Sequence, residues 1–169
     1  MPDYIFDTTV LSNFAAVKRI DLLATRYQNI AFTTIEVIDE LRKGVKAGYD
    51  YLSSILQALK NSESGNWISV LGTQSATEQR LRIEFDDRLD AGEASCLALA
   101  ISRKLILVTD DLAARRLAQE RQVLLTGTLG ILVALVREKA LALSDANELL
   151  ADMIRQRYRS PADSLDAII

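Results

Sequence analysis

Short apolar runs alternate along this chain with stretches whose apolar positions recur every three or four residues. The first run, Tyr4–Phe6, is aromatic and β-branched and reads as a buried strand that ends in Asp7. Residues 10–24 carry Leu11, Phe14, Val17, Ile20, Leu22 and Leu23 at helical spacing, which predicts one or two short helices capped by Thr8 or Thr9. A strand is predicted over 29–32. A helix follows, capped by Thr33 or Thr34, buried through Val37, Ile38 and Leu41 and ended by Gly44 or Gly48. The pattern then gives a helix over 51–59, a loop over 61–66, an alternating strand over 67–71 and a helix over 76–85. Asp90 or Gly92 opens a helix over 93–102 that is nearly all small and apolar, as expected of a helix buried against a sheet. Residues 105–108 form a fully apolar run typical of a central parallel strand, and it ends in Thr109-Asp110-Asp111. Helix 112–120, strand 123–125, a helix through Arg137, a last helix over 144–157 and a tail complete the chain.

Strands that alternate with helices predict βαβ units and a parallel sheet. Right-handed crossovers then bring the strand ends bearing Asp7 and Asp110 to one edge, where open α/β sheets bind their ligands. With 169 residues, no internal repeat and no linker, residues 1–169 read as one domain.

Composition narrows the chemistry. The chain has no histidine, which excludes Ser-His-Asp and Cys-His catalysis and any zinc site built on imidazole. The single cysteine, Cys96, sits in an apolar run and reads as a small core residue. One cysteine, no basic stretch after Met1 and no apolar run of about 18 residues point to a cytoplasmic protein without a membrane span. The net charge of −3 gives no overall basic surface for nucleic acid.

Acid–base or metal chemistry therefore rests on carboxylates. The candidates are Asp7, Glu36, Glu40, Asp90, Glu93, Asp110 and Asp111. Each has an ordinary structural alternative: Asp111 as an N-cap, Glu93 at a positive helix start, Glu36 and Glu40 on a solvated face. Asp7 stands apart as an acid ending a buried strand. Carboxylates that share a cleft repel one another, and a divalent cation relieves this while making water a usable nucleophile on phosphorus. Carboxylate oxygens suit Mg²⁺ or Mn²⁺. The hydroxyls of Thr9 and Thr109 are placed to hydrogen-bond the acids from behind.

Asp7-Thr8-Thr9-Val10-Leu11, Glu40-Leu41, Gly92-Glu93-Ala94 and Val108-Thr109-Asp110-Asp111 resemble the acidic motifs of the PIN domain. Asp111-Leu112-Ala113-Ala114-Arg115-Arg116 and Thr126-Gly127-Thr128-Leu129-Gly130-Ile131-Leu132 resemble the PIN subgroup, close to VapC-type toxins, that carries DD-x-x-AR and G-T-x-G-x-L. The resemblance covers nearly the whole chain. It implies a three-layer α/β/α sandwich around a mostly parallel sheet of roughly five strands. It also implies a metal-dependent ribonuclease, often the toxin of a toxin–antitoxin pair with a small antitoxin protein as partner. Asp7, Glu40, Glu93 and either Asp110 or Asp111 match the ligand positions. Glu93 stands where many members have Asp, which leaves open a catalytically idle module that keeps the fold and binds RNA or protein.

Phosphate contacts are expected from Lys43, Arg115 and Arg116, beside the acids. A haloacid-dehalogenase-type phosphatase is excluded because Thr9 stands where its second acid is required. The Gly127–Gly130 turn is shorter than a P-loop and lacks its lysine. Apolar positions in the later helices and tail (129–135, Leu149, Ile154, Ile168) allow a homodimer, although core packing accounts for most of them.

Overall fold

The computed structural model describes residues 2–60 and 67–169; the loop expected over 61–66 lies outside them. Five strands form one sheet: β1 (Tyr4–Phe6), β2 (Ala31–Thr34), β3 (Ile68–Leu71), β4 (Ile106–Val108) and β5 (Leu125–Thr126). The order is β3-β2-β1-β4-β5 and every pairing is parallel. Ile5 and Phe6 are adjacent, point to opposite faces and are both fully buried, so helices cover the central strand on both sides. This is the expected α/β/α sandwich.

The helices are α1 (Thr8–Ala16), α2 (Ile20–Arg26), α3 (Ile35–Lys46), α4 (Ser53–Lys60), α5 (Ala76–Phe85), α6 (Ala91–Arg103), α7 (Leu112–Glu120), α8 (Thr128–Arg137) and α9 (Leu143–Arg155). The expected 51–59 helix is instead a 3₁₀ turn, Asp50–Leu52, followed by α4. Thr34 caps α3 as expected. The α1 cap is neither Thr8 nor Thr9 but Asp7 itself, whose carboxylate accepts from the Thr9 N–H. Asp7 therefore has a structural task alongside any chemical one. Helix α6 is as buried as its composition demands, from Ala94 through Ala100. Cys96 is fully buried there, its thiol directed to the Phe6 carbonyl. Ile131, Leu132, Leu135 and Leu149 lie in this chain's own core, whereas Ile168 is exposed. Among the described residues no helix is long and apolar enough to cross a membrane.

Strand order fixes where the site must be. From β1 the chain steps outwards through β2 to β3, then returns to the other side of β1 for β4 and β5. The reversal falls between β1 and β4, the place where parallel sheets open a crevice at their carboxyl edge. Both strands bordering it end in acids.

The α5 start is held by a buried ion pair. Glu78 closes a capping box with Ser75, accepts from the N–H of Gln74 at 2.8 Å, and accepts from Arg103 Nε at 2.9 Å. The Arg103 hydrogen bonds hold the Glu78 carboxyl down to about 2 from its ordinary 4.5. A folded value below the unfolded one gives stability that is complete above about pH 4.5 and lost as pH falls towards 2. Arg103 is partly exposed and solvent screens the pair, so this is on the order of 1 kcal/mol. Acid titration of the native chain and Glu78→Gln, followed by circular dichroism, should show the variant less stable at neutral pH and the two converging near about pH 2. Parallel curves would exclude this role.

Candidate active site

Pairing of Phe6 with Val108 sets Asp7 beside Thr109 across the β1–β4 boundary. Asp7 is 1% exposed. Its Oδ1 accepts from the Thr9 N–H at 2.9 Å and the Thr9 hydroxyl at 2.6 Å, and its Oδ2 accepts from the Thr109 hydroxyl. Both threonines read from the sequence as supports are thus in contact with it. Thr9 Oγ1 also accepts from the Asp110 N–H and Thr109 Oγ1 from the Asp111 N–H, so β1 and β4 are laced together at the crevice floor. Burial dominates the carboxyl's acidity. Helped by the Asp110 charge and opposed by the threonine hydrogen bonds, it pushes the Asp7 carboxyl up to about 7.

Glu93 and Asp90 close a capping box at the start of α6. Asp90 caps the helix and stays exposed, while Glu93 is half-buried. Burial first, and then the charges of Asp90, Asp111 and Asp7, push the Glu93 carboxyl up to about 8. Asp111 caps α7 through Oδ1, which accepts from the Ala114 N–H at 2.8 Å.

Glu40 reaches the crevice from α3. Its Oε2 accepts from the Thr8 hydroxyl at 2.6 Å and its Oε1 from the Gly92 N–H at 2.8 Å. Burial raises its pKa above the ordinary carboxyl value, with the Asp90 charge adding to this. Glu36, one turn earlier, is turned away and paired with Arg82 of α5 at 2.8 Å.

Asp110 is occupied differently. Its Oδ1 accepts from the Thr128 N–H at 2.9 Å; its Oδ2 accepts from the Thr128 hydroxyl at 2.5 Å and from Asn13 Nδ2 at 2.9 Å. It therefore ties α1, β4 and the α8 N-terminus together. Gly127 presses against it so closely that a Cβ there would collide with Oδ1. Sequence reading missed Asn13, Thr128, Thr8 and Gly92. For Thr8, Gly92 and Thr128 the signal was present, since all three lie inside the motifs named above.

Of the basic candidates, Lys43 and Arg116 are exposed. Arg115 is half-buried and donates from Nη1 to the Thr109 carbonyl at 2.9 Å, so it braces the β4 end rather than pairing with an acid.

Acids from α3, α6 and the ends of β1 and β4 thus share one crevice with a fully buried carboxylate at its floor. The donor set is all oxygen, with no thiol or imidazole, and burial first, then neighbouring acidic charge, raises Asp7, Glu40 and Glu93. In donor chemistry it fits a hard divalent cation. Among the described residues no three acids are drawn together closely enough to form a ready cage.

A family model described as a PIN domain (DUF3368) matches residues 3–169. The chain belongs to the PIN-domain family. PIN domains are generally nucleases, and those nucleases generally use divalent metals. The fold agrees with a solved structure, PAE2754 from Pyrobaculum aerophilum: TM-score 0.53 at 21% identity, covering 83% of this chain and 98% of that one. No curated protein matches.

Proposed function

We propose that this PIN domain is a Mg²⁺- or Mn²⁺-dependent ribonuclease that hydrolyses RNA phosphodiester bonds with water. What supports the reading is that Asp7, Glu40, Glu93 and Asp111, contributed by four separate chain segments, border the crevice at the sheet's switch point. Asp7, Glu40, Glu93 and Asp111 would hold the cation. When bound, it supplies charge that stabilises the phosphoryl oxygens and makes water acidic enough to attack phosphorus. Thr9 and Thr109 fix the direction of Asp7, and Thr8 fixes that of Glu40.

We favour Asp111 over Asp110 as the fourth holder because, among the described residues, only one of its oxygens is hydrogen-bonded, to the Ala114 N–H, whereas Asp110 spends both on tying Asn13 and Thr128 to the end of β4. Lys43 and Arg116, both exposed, would meet the RNA backbone, and Arg115 braces the β4 end. The DD-x-x-AR and G-T-x-G-x-L motifs support a toxin role with a small antitoxin protein as partner.

Cleavage of a mixed RNA substrate in Mn²⁺, with and without EDTA, tests the reading alongside thermal unfolding in the same buffers. The expected outcome is cleavage only with metal, together with stabilisation of about 2.7 kcal/mol at 100-fold excess over Kd. Neither cleavage nor metal stabilisation would leave an idle PIN-fold module instead.

A further inference from the structure

Gly92 occupies the second position of α6, between the cap Asp90 and Glu93. Its φ is not positive, so its backbone does not demand glycine. Glycine in a helix is nevertheless less favourable than alanine. Space supplies the reason. A Cβ at this position would stand 2.5 Å from Glu40 Oε2, 2.8 Å from Oε1 and 2.8 Å from Cδ, overlapping the whole carboxylate. The same residue's N–H is one of the helix-start donors without a partner inside the helix, and it donates to Glu40 Oε1. The Thr8 hydroxyl closes the far side.

We propose that Gly92 is a positioning residue: its bare Cα and its N–H form the seat that holds the Glu40 carboxylate against the start of α6. The seat joins two acids from different helices through one residue, so Glu40 cannot shift without leaving α6. Its catalytic consequence rests on the metal-nuclease reading; the seat itself does not.

Two measurements on full-length chain test this. Metal-free melting is compared for the native protein, Gly92→Ala, Glu40→Ala and the double variant. With Glu40 truncated, Gly92→Ala should raise Tm by about 2–3 °C, because only helix propensity is left to act. With Glu40 present it should lower Tm, because methyl and carboxylate compete for one volume. The same shift in both backgrounds overturns the seat. Mn²⁺ is then titrated calorimetrically. Gly92→Ala should weaken binding by about tenfold or more, and adding Glu40→Ala should weaken it little further. Native-like Mn²⁺ affinity in Gly92→Ala overturns the positioning role. A native chain that fails to bind Mn²⁺ defeats the proposed function, while the melting cycle still decides the seat.

Discussion

Asp7→Asn is expected to abolish metal-dependent RNA cleavage while leaving the metal-free protein at least as stable as the native one at about pH 8. The two effects have one origin. Asp7 is buried at the crevice floor beneath other acids, and burial lifts its carboxyl from 3.8 to about 7. The folded chain therefore holds that proton more tightly than the unfolded chain. Its contribution to stability is complete below about pH 4, falls as pH rises, and is gone above about 7. The lost amount is on the order of 4 kcal/mol. Asparagine has no proton to lose, and its carbonyl oxygen can still accept from both Thr9 donors. Melting in EDTA between about pH 5 and 8 should slope less steeply for the variant, with Glu93 supplying the residual slope. Loss of one charged metal holder should cost on the order of 10²–10⁴-fold in cleavage and remove Mn²⁺ stabilisation. Cleavage that persists in the variant would remove Asp7 from the site.

The adjacent acids Asp110 and Asp111 should separate just as clearly. Asp110→Ala strips three hydrogen bonds from a charged acceptor and leaves Asn13 Nδ2 and the Thr128 N–H and hydroxyl without it. The expected loss is about 3 kcal/mol, or roughly 6–12 °C in Tm for a chain of this size. Asp111→Asn keeps an N-cap as good as aspartate, so α7 and Tm should be nearly unchanged. What disappears is the charge facing Glu93, and with it Mn²⁺ affinity and cleavage. Measuring Tm and Mn²⁺ affinity on both variants decides the assignment. A stable Asp110→Ala that loses Mn²⁺ binding would make Asp110 the holder instead.

Much of this architecture is written in local pattern. Helix Ala76–Phe85 and helix Leu112–Glu120 follow from spacing and from the polar residues that precede them. The strand β4 follows from a short apolar run with no polar position in it. The acids at strand ends could also be named in advance, because a parallel sheet has one carboxyl edge and every such strand must finish there. What local pattern misplaced was the point where helices begin. Asp7 caps α1 although threonines follow it, since a carboxylate at the strand end already points at the Thr9 N–H.

The sequence by itself determined the fold class, the all-oxygen donor set and the absence of any imidazole chemistry. Only the tertiary structure decided which acids meet. Glu36 and Glu40 lie on one side of the same helix, yet Arg82 of α5 captures the first and Thr8 with Gly92 captures the second. Asp110 and Asp111 are neighbours in the chain, yet Thr128 and Asn13 claim one and leave the other towards Glu93. Periodicity fixes the side of an element a residue occupies. The partner found there depends on how α1, α3, α6 and α8 converge on the β1–β4 crevice, across sequence separations that no local pattern spans.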